Sequence, residues 1–116
     1  MKLSFILFVL ACAPLALAQT QLEMNDKAAA EFAKADKELN EVYAKVIGVL
    51  DDQAKEMLKR SQRAWVAFRD AEAAFQADAE ARGGSMWPLV HEGVRGKLTR
   101  ERVKALREYL IEEGNK

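Results

Sequence analysis

The stretch DDQAKEMLKRSQRAWVAFRDAEAAFQADAEARGG, from Asp51 to Gly84, decides the fold. Within it Ala54, Leu58, Ser61, Trp65, Phe68, Glu72, Phe75 and Ala79 recur with steps alternating between four and three. That spacing is the heptad-like seam of a long helix. Asp51 and Asp52 suit its start, because a carboxylate accepts orphan N–H bonds and favours the positive helix end. Arg82-Gly83-Gly84 ends it with a basic last turn and a glycine stop. The predicted helix, Asp52 to Arg82, is ~46 Å long at the standard rise. On this pattern Trp65, Phe68 and Phe75 are core residues.

Upstream, Thr20 and Glu23 have the spacing of a capping box. Phe32, Ala35, Leu39, Val42, Val46 and Val49 or Leu50 then follow at steps of three and four. The spacing predicts a helix from Thr20 to Leu50. The short link to Asp52 forces the two helices antiparallel. Downstream, Gly83 to Pro88 reads as a loop, and Leu89 to Gly96 as a short helical turn. A third helix is expected from Leu98-Thr99, capped by Thr99 and carrying Val103, Leu106 and Leu110, with Gly114 as its stop. The expected fold is all-α, a long antiparallel helical hairpin plus a shorter C-terminal helix.

The first eighteen residues read as an export signal. Met1-Lys2 gives a basic start, Leu3 to Leu10 an apolar run, and Ala16-Leu17-Ala18 a small-residue cleavage site. The run is too short for a transmembrane helix, which needs ~20 apolar residues. Residues 1–18 are thus the expected signal peptide and 19–116 the single mature domain, periplasmic or secreted. Val9-Leu10-Ala11-Cys12 loosely resembles a lipoprotein box, so lipid anchoring at Cys12 is the alternative. Cys12 is the only cysteine of the 116 residues, so they can form no internal disulfide among themselves.

Lys+Arg and Asp+Glu number 18 each, a balance that argues against a nucleic-acid binder. No cofactor or metal is expected: one His and one Cys exclude a Cys/His zinc site, and no E-x-x-H pair is present. Asp36, Glu38, Glu41, Asp70 and Glu72 could pair for glycoside chemistry, but among 18 acids such pairs arise readily and read as a solvated face. Glu72 differs, since it occupies the seam between Phe68 and Phe75. A carboxylate there needs a partner, expected to be one of Arg63, Arg69, Arg95, Arg100, Arg102 or Arg107. Trp87, beside two glycines and Pro88, either plugs the open end of the hairpin or presents an aromatic anchor. His91 reads as a partly exposed histidine.

The block Gln62-Arg63-Ala64-Trp65-Val66-Ala67-Phe68-Arg69-Asp70-Ala71-Glu72 resembles one family. The order of the other blocks supports it: Glu23-Met24-Asn25 and Ala35-Asp36-Lys37-Glu38-Leu39-Asn40-Glu41-Val42-Tyr43 before, Gly83-Gly84-Ser85 and Leu98-Thr99-Arg100-Glu101-Arg102 after. The likeness is to the lysozyme inhibitor LprI-like N-terminal domain family, and it covers nearly all of the mature chain. It implies a structural motif of Asp36, Asn40, Tyr43, Gln62, Arg63, Trp65, Phe68, Arg69, Asp70 and Glu72. It also implies an exported, non-enzymatic binding protein of the cell envelope whose partner is lysozyme; the alternative reading is a periplasmic structural or interaction module whose partner is another exported protein. An inhibitor needs a rigid protrusion, and Ser85, Met86 and Trp87, with His91, are the candidate binding residues. Family members commonly carry cysteines at places filled here by residues near Lys27 and Ala28, by Ala73 and by Val94, so helix packing must replace the disulfides.

Overall fold

Two breaks divide the chain into helices. At the first, Asp51 is an N-cap whose Oδ1 accepts from the Ala54 amide at 2.8 Å. At the second, Gly83 takes φ +72°, a left-handed conformation that suits glycine. The computed structural model describes residues 2–114, with side chains over 15–112, and in it the elements are α1 Lys2–Val49, α2 Asp52–Ala81 and α3 Trp87–Gly114. The fold is all-α: there is no strand among the described residues.

Side-chain bonds fix the helix directions. Arg69 of α2 reaches Asp36 of α1, and Ser85 after α2 reaches Gln21 of α1, so α1 and α2 run antiparallel. Arg102 of α3 bonds Gln62, and Arg95 bonds Asp70, so α3 runs back along α2 and parallel to α1. α3 packs against both partners, whereas α1 and α2 meet each other only sparsely. It is therefore the wedge that holds the hairpin together. The core joins Leu39, Val42 and Val46 of α1 to Val103 and Leu106 of α3, with Tyr43, Leu50, Leu58, Trp65 and Leu110 packed around it. Burial contributes about 2 kcal/mol for each such Val or Leu.

Three expectations are corrected. Thr20 does not cap α1: it lies within the helix and its hydroxyl donates to the Ala16 carbonyl at 3.0 Å. Ala16 to Ala18 are helix formers, so nothing halts the helix there. Thr99 likewise does not begin α3, which starts at Trp87 and includes Gly93 and Gly96. Gly96 is a contact, not a break: a Cβ there would lie 3.7 Å from the Phe32 Cα. The missing side chain lets α3 approach α1 closely.

The third correction concerns α2. Its buried residues are Arg69, Ala73 and Ala77, a row of fourfold steps, and Trp65 is half-buried. Phe68 and Phe75 are 54% and 67% exposed, so they are not core. Large aromatics suggested the buried face, but the α2 interior is built from small residues that let α3 close in. The apolar run Leu3 to Leu10 and Cys12 lie outside the described side chains. No described helix is long and apolar enough to cross a membrane.

Candidate functional site

The Gln62 to Glu72 block is organised around Arg69. Its side chain is almost fully buried, and Nε donates to Asp70 Oδ1 at 2.9 Å. Nη1 lies 3.4 Å from Asp36 Oδ1 and 3.5 Å from Thr99 Oγ1. The guanidinium also stands 5.0 Å from the Phe32 ring centre and 5.3 Å from that of Trp65. The Arg95 guanidinium also packs over Phe32, 3.9 Å from the ring centre, and that of Arg102 lies 5.7 Å from the ring centre of Trp65. Arg95, Phe32, Arg69, Trp65 and Arg102 thus form a ladder of alternating cations and aromatic rings through all three helices. Each cation–ring contact contributes ~0.5–2 kcal/mol, more where water is excluded.

Carboxylates and amides fix the ladder. Asp70 Oδ1 accepts from Arg95 Nε at 3.1 Å as well as from Arg69, and Arg95 Nη1 also bonds Glu92. Burial works against the charge of Asp70. The hydrogen bond and charge of Arg69, with those of Arg95, outweigh it and hold the carboxyl below the usual range. Arg102 donates to Gln62 Oε1 at 3.0 Å and to Ser61, and burial pulls its guanidinium below its ordinary value.

Asp36, Asn40 and Tyr43 of α1 face Gln62, Arg63 and Arg69 of α2 across an open groove of about 690 Å³. The two separated sequence blocks therefore meet in space. Arg63 Nε lies 3.4 Å from the Lys59 carbonyl, and Asn40 is exposed. Phe68 points away from this assembly. Glu72 forms no ion pair with an arginine, contrary to expectation: its Oε1 accepts from Gln76 at 3.0 Å. The acid that the arginines recruit is Asp70, which α2 turns toward α3. Sequence reasoning passed over Phe32 as a ladder ring and Thr99 as a buried hydroxyl. The Gly96-to-Thr99 step was the available signal, because a glycine and a small polar residue one turn apart mark a close helix contact.

At the opposite end, Ser85 and Met86 are exposed on the turn before α3. Gln21 of α1 clasps them, its Nε2 donating to the Ser85 carbonyl at 3.2 Å and contacting Met86 Sδ at 3.1 Å. Trp87 is half-buried: its indole N–H donates to Asp78 at 2.9 Å, and its ring stacks on His91 at 4.6 Å. Trp87 and His91 brace the turn from below, while Ser85 and Met86 form its outer surface.

The sequence profile of the lysozyme inhibitor LprI family matches residues 12–106. The chain belongs to this family. It is similar to an uncharacterized protein of Rhizobium meliloti (strain 1021), with 35% identity over 106 aligned positions, covering 80% of this chain and 76% of that protein. The crystal structure of a DUF1311 family protein from Pseudomonas putida KT2440 shares the fold, with a TM-score of 0.65 and 22% identity over 74% of this chain and 89% of that one. In this LprI-family chain Ala28 and Ala73 are buried and Val94 is half-buried, so apolar packing occupies the places where cysteines were expected from the resemblance.

Proposed function

We propose that this chain is an exported, non-enzymatic binding protein of the lysozyme inhibitor type, acting in the cell envelope. The match to the LprI family over residues 12–106 carries the reading. Export follows from a signal peptide cleaved after Ala18, with lipid attachment at Cys12 as the alternative route. The doubly paired carboxylate of the ladder reads as a structural group. Asp70 is paired twice and held ionised, which suits a strut and not a proton donor near neutral pH.

The inhibitory element is the turn bearing Ser85 and Met86, between α2 and α3. Gln21 ties it to α1, and the Trp87–His91 stack stiffens its base. Such a pre-ordered tip loses little freedom when it enters an enzyme cleft.

A lysis assay tests the proposal. Purified protein is expected to slow the lysis of cell-wall suspensions by lysozyme in a dose-dependent way, and Met86→Ala to weaken that protection without loss of helix content. Folded protein that protects against none of several lysozyme types would overturn the inhibitor reading. Turnover of peptidoglycan fragments by the protein itself would overturn the non-enzymatic one.

A further inference from the structure

Met57, Ser61, Ala64, Phe68, Ala71 and Phe75 are all exposed, and they recur along α2 at steps of four, three, four, three and four. In a helix of 3.6 residues per turn these positions form one narrow stripe. The stripe carries no charge, in a chain where 31% of residues are charged. Arg102 of α3 reaches Ser61 at one end of the stripe, but Phe68 and Phe75 stay 54% and 67% exposed, so the fold leaves the segment from Ala64 to Phe75 largely uncovered.

We propose that the stripe is a self-association surface on which α2 pairs antiparallel with α2 of a second copy. The order of residues along the stripe points to this occupant. A two-fold axis placed between Arg69 and Asp70 sets Phe68 against Ala71 of the second copy and Phe75 against its Ala64. The symmetry repeats both pairs. Every large ring then meets a small residue, the self-complementarity that an isologous interface requires. A parallel pairing would instead set Phe68 against Phe68 and Ala71 against Ala71, leaving crowded layers beside empty ones.

The margins fit the same register. Ala67 and Ala74 flank one side of the seam and face each other across the axis, so the backbones can approach closely. The area is adequate too. With a ring surface of ~200 Å², four rings at 54% and 67% exposure supply about 500 Å². That is half of the ~1,000 Å² a specific interface needs, before the alanines, Met57 and backbone of both copies are added.

Sedimentation equilibrium and oxidative cross-linking test the proposal without reference to lysozyme. The protein is expected to show a concentration-dependent doubling of mass. Phe68→Glu and Phe75→Glu should each weaken pairing by ~100-fold or more, as substitutions at an interface centre do, with unchanged helix content because both side chains are exposed in the single chain. In a Cys12→Ser background, Ala71→Cys near the axis should cross-link under oxidation, and Ala64→Cys, five to six residues from it, should not. Cross-linking of both would mean parallel pairing and overturn the register. A single-chain mass at every concentration, or pairing that survives the double glutamate variant, would overturn the surface. If the single-chain protein lost lysozyme protection on Phe68→Glu, the stripe would belong to the enzyme partner instead, again overturning self-pairing.

Discussion

Arg69 and Thr99 meet in the interior, Nη1 to Oγ1 at 3.5 Å, and join α2 to α3 where both side chains are out of solvent. A guanidinium can occupy this place because Asp36, Asp70 and two aromatic faces surround it. Buried charge of this kind holds a structure only when its partners are complete.

Arg69→Ala is expected to lower unfolding stability by about 2–4 kcal/mol. The upper end of the cost of breaking a buried pair is not reached, because Asp70 keeps Arg95 and is half-exposed. Thr99→Val, which removes one acceptor and keeps the shape, is expected to cost about 1 kcal/mol. Urea unfolding followed by circular dichroism measures both. Equal losses in the two variants would show that the guanidinium is not the centre of the network.

Asp70 gives the fold an acid-sensitive element. Its folded pKa is depressed, so the unfolded chain holds the proton more tightly. Its stabilisation is complete above the unfolded value of ~3.9 and is lost as pH falls through the lower folded value. Asp70→Asn should therefore lower the melting temperature at pH 7 and flatten its decline below ~pH 4. The contribution of this half-exposed carboxylate is about 1 kcal/mol. A variant melting curve that tracks the original at every pH would contradict the assignment.

The glycines of α3 and its approach should respond in opposite directions. At Gly93 nothing lies within 4 Å of an added Cβ, so Gly93→Ala should stabilise by ~0.5–1 kcal/mol through helix propensity. At Gly83 the backbone is left-handed, and Gly83→Ala should destabilise by ~1 kcal/mol. Gly96→Leu should be the most damaging, because its side chain would be driven into the backbone of Phe32. Thermal melts of the three variants rank them, and stabilisation by Gly96→Leu would refute the close approach.

Trp65 and Phe68 are three residues apart and should behave differently. Trp65→Ala removes a ring that packs on the core and between Arg69 and Arg102, and should cost about 3 kcal/mol. Phe68→Ala should shift the stability of the single chain by ~0.5 kcal/mol or less, as exposed substitutions do. Chemical denaturation at a concentration where only single chains are present separates them.

The helices were legible because their signals are local. Asp51 caps, Gly83 turns, and Leu39, Val42, Val46, Val103 and Leu106 repeat at helical spacing on faces that are indeed buried. The α2 face was misread because two helical stripes overlap in its sequence. The aromatic one carrying Phe68 and Phe75 has the stronger hydrophobic pattern, while the buried one is made of alanines and an arginine. Which stripe turns inward depends on α3, a partner distant in sequence. The Glu72 expectation failed for the same reason, since it inherited the phase of the wrong stripe. Gln62, Trp65, Arg69 and Asp70 were recognisable as a block, but their joint role required the rings and cations of the other two helices.

Because α3 supplies most of the contacts that hold α1 and α2 together, a helix made after both of them closes the structure. A ribosome delivering this chain releases the first two helices with no finished interior between them. The interior is complete only with the residues beyond Trp87 in place. Loss of the terminal segment would leave two coils with little to hold them side by side.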